Sequence, residues 1–401
     1  MKIAWVSSWA PRPCGIATYS ADLVDALRKK KADVHVICHT DGGSSGEKNV
    51  YPVLDTESAG WDEKLYTTVN KIKPDIVHIQ HEYGLYRTGN DHASGLFRPF
   101  FRWKTDNKFP VVVTYHSVYT KLNKMMSFYM DLMQKIVDAG IVHEEYQWAY
   151  LPVNTGRVMD NIYIIPHGAQ IVRTYSKETL KKAHGIEGNK VIGMIGWFNQ
   201  TKGFHRVLEM WDKLSEKLGP ESILVLAGDA RTLDPRQKEY KKKLLGLVEQ
   251  CKNKERIKVV IGSFSPKEYD DLLATFDIMV MPYIFASQSG NLANSFAVGV
   301  PVIASAMEGL KAEIDISGAG ITVPPDDDEE LMSAILTIMA DDEMRARYSK
   351  KARNYVKEHI NWPNIAKKHL TLYKNLIIKK RADKQDHRSV AMLEPERKEK
   401  I

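Results

Sequence analysis

Short runs of aliphatic and β-branched residues alternate with longer segments of helical periodicity from one end of the chain to the other. This alternation is typical of parallel sheets covered by helices on both faces, because each strand is followed by a crossover helix. The runs that predict strands are 2–7, 33–39, 75–80, 110–115, 140–143 and 162–166, then 189–196, 222–228, 257–261, 277–281, 301–304 and 320–323. Two comparable series predict an α/β fold with two doubly wound, Rossmann-like domains.

Two segments show the clearest helical periodicity. One has an apolar face made of Phe204, Val207, Leu208, Trp211, Leu214 and Leu218. The other has Pro363, a residue suited to a first helical turn, near its start, and its face is made of Trp362, Ile365, Ala366, His369, Tyr373, Leu376 and Ile377. Each face predicts a helix that packs against another element.

The chain between the two series is polar. Residues 173–188 contain two glycines and begin no clear strand, which predicts a linker between a domain at 1–172 and a domain at 189–360. Residues 381–401 are rich in charge, and we expect a solvated, flexible tail there. Weak contact of this tail with an anionic membrane surface is the alternative.

The composition excludes several classes of protein. With 43% apolar residues in 401, the chain can bury large cores, so dominant disorder is excluded. The net charge of +7 comes from 57 basic and 50 acidic residues, a mixture that does not predict a nucleic-acid partner. The longest apolar runs are shorter than the about 18 residues that a membrane-spanning helix needs.

The cysteines and the first residues bear on the cellular compartment. Cys14, Cys38 and Cys251 are far apart, and their spacing fits neither a disulfide framework nor a structural zinc site. The strand-like run at 2–7 begins almost at once, without the longer apolar core of a signal peptide. These features predict a cytoplasmic location.

Two loops join a predicted strand to a helix N-terminus. The first contains Gly15 and leads into a helix near Ile16, and the second leads into a helix at Ser289 and Gly290. Backbone N–H groups and the helix dipole make such a terminus attractive to a phosphate. A plain connection is the alternative for the first loop, and an ordinary serine cap is the alternative for the second. The second lies beyond the carboxyl ends of strands, where doubly wound sheets bind ligands.

Further loops of the second domain are expected at the same edge of its sheet. Lys202 precedes a helix and can neutralise a pyrophosphate as a compact positive charge, although an exposed lysine alone has no such meaning. Asp229 and Phe264 follow two other strands of the series. Together these loops predict a ligand-binding cleft.

Histidines are concentrated where the predicted strands of the first domain end. They are His78, His81, His116, His143 and His167. His81 with Glu82, and His116, fall in predicted polar loops, where acid–base groups and sugar contacts are usually built. A structural imidazole is the alternative for each of them. No metal-binding motif accompanies them, so we expect no catalytic metal.

Taken in order, these motifs resemble the family 4 glycosyltransferases of the two-domain GT-B architecture. The resemblance rests on CGIATY at 14–19, PDIVHIQHE at 74–82, VTYH at 113–116, IPHG at 165–168, KG at 202–203, AGD at 227–229, PY at 282–283 and GVPVI at 299–303. It implies two Rossmann-like domains with an interdomain cleft. It also implies that the last helix, at 363–380, returns to the first domain.

The resemblance implies roles for individual residues. It assigns the donor diphosphate to Gly15, Ile16, Lys202, Ser289, Gly290 and Asn291, the nucleoside to Asp229, Phe264 and Asn294, and the acceptor or donor sugar to His81, Glu82 and His116. Lys202 and His116 are the implied catalytic residues. Enzymes of this family retain the anomeric configuration and generally need no metal.

Three positions depart from the family pattern. The paired glutamates of the family would fall on Ala286 and Asn294, and the arginine five residues before Lys202 is replaced by Trp197. Contacts that the family assigns to those glutamates therefore do not carry over. Asn294 can still hydrogen-bond a ribose hydroxyl as a neutral partner.

The leading hypothesis is a metal-independent, retaining transferase that moves a hexose from a nucleotide diphosphate sugar to a carbohydrate or lipid-linked hydroxyl. Bond cleavage builds negative charge on the leaving diphosphate, which a lysine and helix amides would stabilise. A glycoside phosphorylase on the same fold and a catalytically degenerate sugar-nucleotide-binding protein are the alternatives. No cofactor is expected.

Overall fold

The computed structural model describes residues 1–86, 94–172, 175–188, 190–231, 234–285 and 289–393. The chain forms two compact units. Unit 1 comprises Met1–Pro166 and Trp362–Ile401, and unit 2 comprises His167–Asn361.

Unit 1 contains a sheet of seven parallel strands. They are β1 (Lys2–Val6), β2 (Asp33–His39), β3 (Val50–Leu54), β4 (Ile76–His81), β5 (Val111–Tyr115), β6 (Ala139–Val142) and β7 (Ile162–Ile164). Their order is β3-β2-β1-β4-β5-β6-β7. Every residue of β4, β5 and β6 is buried, because helices cover both faces of the sheet.

The helices of unit 1 build a core on each face of this sheet. They are α1 (Gly15–Lys29), α2 (Trp61–Ile72), α3 (Phe97–Asp106), α4 (Lys124–Ile136), α5 (Glu145–Thr155) and, from the end of the chain, α15 (Trp362–Leu393). One core contains residues of α2, α3, α4 and α5. The other contains residues of α1 and α15, including Leu23, Ile365 and Tyr373. An ion pair of 2.9 Å between Lys380 and Asp138 also holds α15 in this unit.

Unit 2 repeats the architecture with six parallel strands. They are β8 (Lys190–Ile195), β9 (Ser222–Gly228), β10 (Ile257–Ile261), β11 (Ile278–Met281), β12 (Val302–Ser305) and β13 (Gly320–Val323). Their order is β10-β9-β8-β11-β12-β13. The helices are α6 (Lys177–Ala183), α7 (Phe204–Glu209), α8 (Trp211–Leu218), α9 (Pro235–Gln250), α10 (Pro266–Ala274), α11 (Gly290–Val298), α12 (Glu308–Ser317), α13 (Asp328–Ala340) and α14 (Asp342–Tyr355).

One strand of unit 1 has no counterpart in the sequence prediction. β3 contains Pro52, which cannot donate a backbone hydrogen bond and so argues against a strand. β3 lies at the edge of the sheet and pairs on one side only, with β2. A proline is tolerated in an edge strand, because one side of that strand forms no hydrogen bonds with a neighbour. The sequence does not show that this segment lies at an edge, so the strand was not predicted.

The segment predicted as a linker, 173–188, is instead structured within unit 2. Residues 173 and 174 lie outside the described residues, but α6 follows, and the boundary between the units falls between Pro166 and His167. Leu180 of α6 is buried. Lys177 and Lys181 both form ion pairs with Asp277, at 3.0 and 2.9 Å. These two lysines of a polar segment therefore anchor it to the residue before β11.

Two helix predictions also need correction. The apolar face that begins at Phe204 belongs to two helices, α7 and α8, which meet at Met210. The tail predicted at 381–401 is helical as far as Leu393, because α15 continues through it. Residues 394–401 lie outside the described residues. Within the described ranges, no helix combines the length and the apolar character that crossing a bilayer requires.

The packing of α15 predicts a strong contrast between two identical substitutions in one helix. Ile365 is fully buried, whereas Ile378 is 66% exposed. Ile365→Ala is expected to lower the free energy of unfolding by about 2–5 kcal/mol, because it leaves a cavity against α1. Ile378→Ala should change it by less than about 0.5 kcal/mol. Urea unfolding followed by circular dichroism measures both, and equal losses would contradict this packing.

Candidate active site

The order of strands in unit 2 places a crevice at the carboxyl end of β8. β9 pairs with one edge of β8, and β11 pairs with the other. The helices that follow β8 and β11 enter different cores, since Phe204 of α7 packs in one and Leu292 of α11 packs in the other. Doubly wound sheets bind ligands where consecutive connections diverge in this way. The loops after β8 and β11 are therefore the candidate ligand-binding loops of unit 2.

Lys202 occupies the loop after β8. It ends a short 3-10 turn, Gln200–Lys202, which Asn199 caps by accepting a hydrogen bond from the backbone of Thr201 at 3.3 Å. Its ammonium group lies 3.9 Å from the ring centroid of Tyr283, a residue of the loop after β11. The described residues offer Lys202 no acidic partner. The site therefore contains a positive charge that the aromatic ring holds but does not neutralise.

The N-terminus of α11 lies beside this lysine. Ser289 precedes the helix in an extended conformation, and its hydroxyl makes no capping bond to the helix backbone. The hydroxyl instead lies 3.1 Å from the hydroxyl of Tyr283. Tyr283 thus contacts both Lys202 and Ser289, so the structure brings these two predicted residues together.

Asn291, in the first turn of α11, ties this helix to the sheet. Its side-chain amide donates to the carbonyl of Ile195, the last residue of β8, at 2.6 Å. Its side-chain oxygen accepts from the hydroxyl of Tyr269 at 2.9 Å. The side chain of Asn291 is thus engaged inside the protein and positions the helix N-terminus. The diphosphate contact expected of Asn291 stays a prediction, and its backbone N–H at the helix start is the group that could make it.

Two glycines permit the close approach of these loops. Gly203 has φ +68°, and a Cβ atom there would lie 2.0 Å from the carbonyl oxygen of Pro282. Gly228 has φ +141°, and a Cβ there would lie 1.9 Å from the carbonyl oxygen of Gly196. Any larger residue would force the backbones of neighbouring loops apart.

The residues predicted to contact a nucleoside lie in the same unit. Asp229 follows β9, and its carboxylate accepts hydrogen bonds from Lys241 at 2.6 Å and from the backbone of Ala230 at 2.7 Å. Phe264 follows β10 and is half-buried against the core of α11. Asn294 hydrogen-bonds the hydroxyl of Tyr269. Asp229 and Asn294 therefore already have protein partners, and Ala286 lies outside the described residues.

Sequence reasoning missed two charged residues near these loops. The guanidinium of Arg231 lies 5.5 Å from the ring centroid of Trp197, so a cation from the loop after β9 stands over the residue that follows Gly196. Glu313 of α12 is buried and lines a pocket with His167, Ser289 and others. Glu313 carried a signal in the sequence, since an acid interrupts the apolar positions Leu310 and Ile314.

His116 in unit 1 is held by a chain of side-chain hydrogen bonds that reaches α15. Its Nε2 atom lies 2.8 Å from the side-chain oxygen of Gln80, and the amide nitrogen of Gln80 lies 3.1 Å from Nε2 of His78. His78 also bonds the hydroxyl of Thr114 at 2.7 Å and the hydroxyl of Tyr373. If the carbonyl of Gln80 accepts, Nε2 of His116 carries the proton and Nδ1 carries the lone pair.

The sequence predicted that His81 lies in a polar loop, but it does not. It is the last residue of β4, it is buried, and its Nε2 atom lies 2.9 Å from the hydroxyl of Tyr129. Alternation along β4 turns Gln80 toward the α1 face and His81 toward the opposite core. His81 thus has the surroundings of a structural imidazole.

The other predicted residues of unit 1 lie at loop and helix starts. Gly15 is exposed as the first residue of α1, and Ile16 packs partly on the core. Cys14, which precedes them, makes no side-chain cap. Glu82 accepts a hydrogen bond from the backbone of Gly84 at 2.7 Å, so its carboxylate supports its own turn. Across the described ranges, His, Cys, Asp and Glu side chains form no group of three that could hold a metal ion.

Two protein-family models match the chain. Residues 13–173 match the model described as Glycosyltransferase Family 4, and residues 176–355 match the model described as Glycosyl transferases group 1. The matches together include α1 and the loops before α7 and α11.

Curated relatives share about a quarter of the aligned residues. The chain is 25% identical over 257 residues to D-inositol 3-phosphate glycosyltransferase of Corynebacterium urealyticum, covering 61% of this chain and 58% of that one. It is 22% identical over 273 residues to phosphatidyl-myo-inositol mannosyltransferase of Mycolicibacterium smegmatis, covering 67% and 65%. The chain therefore spans less than two thirds of the length of these relatives.

Solved structures match over more of the chain. HepE of Anabaena in complex with UDP has a TM-score of 0.75 and 17% identity, covering 94% of this chain and 100% of that one. Sucrose-phosphate synthase of Thermosynechococcus elongatus has a TM-score of 0.75 and 21% identity, with the same coverage. At these identities the likeness shows a common fold.

The buried histidines predict a loss of stability in acid. Burial lowers the pKa of His81 to about 3 and that of His369 to about 4. The unfolded chain, with histidine pKa values of about 6.5, therefore binds more protons than the folded protein at intermediate pH. The stabilisation is complete above pH 6.5 and is lost as the pH falls toward 4, by about 2 kcal/mol per histidine at pH 5.

Urea unfolding at pH 7.5 and pH 5 measures this loss. His369→Gln should make the loss smaller by about 2 kcal/mol, because one buried titrating group is removed. His359→Gln, which replaces an exposed histidine, should leave the loss unchanged. A loss that is the same in all three proteins would contradict the role of buried imidazoles.

Proposed function

We propose that this chain, which belongs to the family 4 type of glycosyltransferases with the GT-B fold, transfers a hexose from a nucleoside diphosphate sugar to a hydroxyl group of a carbohydrate or lipid-linked acceptor. The observation that carries the proposal is the meeting of Lys202 and Ser289 at Tyr283. It joins a positive charge without an acidic partner among the described residues to the N-terminus of a nine-residue helix. Both features attract a diphosphate.

In the proposed chemical step, the protein must stabilise the leaving diphosphate. When the bond between the sugar and the diphosphate breaks, negative charge grows on the phosphate oxygens. The ammonium of Lys202 is held over Tyr283 before substrate arrives, so little reorganisation is needed when that charge develops. The amides at Gly290 and Asn291 begin α11, where the helix dipole favours negative charge.

We propose that this stabilisation replaces a metal ion. A lysine and helix amides can supply the positive field that a divalent cation provides in other phosphate chemistry. Retention of the anomeric configuration and a hexose as the transferred group are further parts of the proposal, supported by likeness to the family. Contacts of Gly15 and Ile16 with the diphosphate stay predictions of the sequence.

His116 is the residue we propose for the sugar. The chain of hydrogen bonds through Gln80, His78 and Tyr373 fixes the orientation of the imidazole ring. A fixed orientation is what a side chain needs in order to hydrogen-bond one particular hydroxyl of a sugar. A protonated Nε2 bound to Gln80 leaves Nδ1 as the hydrogen-bond acceptor of the imidazole.

Uridine nucleotides are the first donors to test. The solved structures of HepE contain UDP, UDP with glucose, and UDP-glucose. We further propose a cytoplasmic location, because Cys14, Cys38 and Cys251 are all free thiols, as a reducing compartment favours.

A nucleotide panel tests the proposal. UDP, GDP, ADP and TDP are added separately to the protein, and at least one should raise the melting temperature, because a ligand that binds the native state stabilises it. The corresponding nucleotide-glucose donors are then assayed for release of the nucleoside diphosphate with and without acceptor sugars. No shift with any of the four nucleotides would contradict the proposed function, and phosphate-dependent cleavage of disaccharides would favour a phosphorylase.

Lys202→Ala is expected to lower kcat for sugar transfer by about 100-fold to 1,000-fold, the usual effect of removing one group that stabilises developing charge. The melting temperature of the free protein should hardly change, because no ion pair with a described residue is broken. Lys213→Ala, which removes an exposed lysine of α8, is the matched control and should have normal turnover. Normal turnover in Lys202→Ala would remove this lysine from the mechanism.

A further inference from the structure

A small pocket opens beside the N-terminus of α11, within unit 2. Its lining residues are His167, Ser289, Leu292, Gly309 and Glu313. The open volume including the mouth is about 220 Å³, and the enclosed part has room for about one water-sized group. A whole sugar ring does not fit in the enclosed part, but one hydroxyl or hydroxymethyl substituent does.

Glu313 is the polar group of this pocket. It is 6% exposed, and its Oε1 atom has no hydrogen-bond partner among the described residues. It lies on the buried face of α12 between Leu310 and Ile314, both of which belong to the core. Burial raises the pKa of Glu313 to about 8, so the side chain is mostly an un-ionised acid at neutral pH.

A buried carboxyl oxygen without a partner, such as Oε1 of Glu313, is costly and needs an explanation. Leaving such a group unsatisfied costs about 1–3 kcal/mol, and an apolar residue at this position of α12 would avoid that cost. An un-ionised acid has one O–H donor and acceptor oxygens, which match the donor and acceptor of a hydroxyl group. The other walls of the pocket support the same chemistry, since burial also lowers the pKa of His167 to about 4 and keeps that ring neutral.

The pocket also lies next to the residues proposed to bind the diphosphate. Ser289, which lines it, is the residue that precedes α11 and contacts Tyr283, the partner of Lys202. A group that enters the pocket is therefore adjacent to the proposed diphosphate site. In a nucleoside diphosphate sugar, the group bonded to the terminal phosphate is the sugar.

We infer that one hydroxyl-bearing substituent of the donor sugar enters this pocket and hydrogen-bonds to Glu313, which makes Glu313 a residue that determines donor sugar specificity. The inference rests on the proposed function, because it needs a sugar attached to a diphosphate at α11. It adds a protein group that recognises the sugar, whereas Lys202 and the helix amides bind the phosphates. A water molecule held permanently by Glu313 is the competing occupant.

The experiment is a double-mutant cycle in which one change is a substitution in the protein and the other is the removal of a hydroxyl from the ligand. The probe is the glucose donor of whichever nucleotide raises the melting temperature, together with its 2-, 3-, 4- and 6-deoxyglucose analogues and the nucleoside diphosphate alone. Dissociation constants are measured by calorimetry for the wild type, Glu313→Leu and Glu313→Gln. Asp315→Leu is the matched control, because Asp315 is an exposed carboxylate of the same helix.

One deoxy analogue is expected to bind the wild type about 5-fold to 10-fold more weakly than the parent donor, the effect of one hydrogen bond. Glu313→Leu should bind that analogue and the parent equally, whereas Glu313→Gln and Asp315→Leu keep the difference. The nucleoside diphosphate alone should bind all four proteins within about twofold. If Glu313→Leu does not fold, Glu313→Asp takes its place, since it withdraws the carboxyl group by one methylene.

The outcomes separate this inference from the proposed function. Undiminished selectivity in Glu313→Leu, or no analogue that differs in the wild type, would overturn the inference and leave sugar transfer intact, with water as the occupant. An equal loss of affinity for donor and nucleoside diphosphate would show a structural role and overturn it as well. Failure of every nucleotide to bind would instead remove the proposed function, and the inference with it.

Discussion

The hydrogen bond from the side chain of Asn291 to the carbonyl of Ile195 is the constraint on which the site depends. It joins the first turn of α11 to the last residue of β8, and it satisfies a carbonyl at the end of a buried strand. Tyr269 occupies the other side of the same amide, so Asn291 has little freedom to rotate. A helix N-terminus is thereby fixed at the point where the connections of the sheet diverge.

Once that terminus is fixed, the surrounding loops follow from close contacts. Gly203 allows the loop after β8 to approach the carbonyl of Pro282, and this approach carries Lys202 to the ring of Tyr283. Tyr283 in turn contacts Ser289. A single aromatic residue therefore positions a cation and a helix start, and positioning before substrate arrives is the main contribution that a protein makes to phosphate chemistry.

The central strands and the edge of the sheet that carries the site were predictable from the sequence. Continuous apolar runs mark strands such as β5, and the Ser-Gly start of α11 is a local signal that needs no tertiary information. β3 was not predictable, since only its place at the edge of the sheet makes Pro52 acceptable. The shared partner of Lys177 and Lys181 was also hidden, because Asp277 is 100 and 96 residues away from them along the chain.

Side-chain partners at the site were the least accessible to sequence reasoning. His81 and Gln80 are adjacent, yet the pleat of β4 turns one into the core and the other toward His116. The residue type of Asn291 does not reveal that its side-chain amide donates to the carbonyl of Ile195. Glu313 is marked in the sequence only as an acid among apolar positions, and its pocket becomes visible only when α11 and α12 come together.

The central claim is that the N-terminus of α11 and Lys202 together hold a diphosphate. A crystal structure of the protein with UDP, or with whichever nucleoside diphosphate binds, tests it most directly. The account predicts phosphate oxygens within hydrogen-bond distance of the backbone amides at Gly290 or Asn291 and of the Nζ atom of Lys202. A bound nucleotide whose phosphates contact neither α11 nor Lys202 would contradict it.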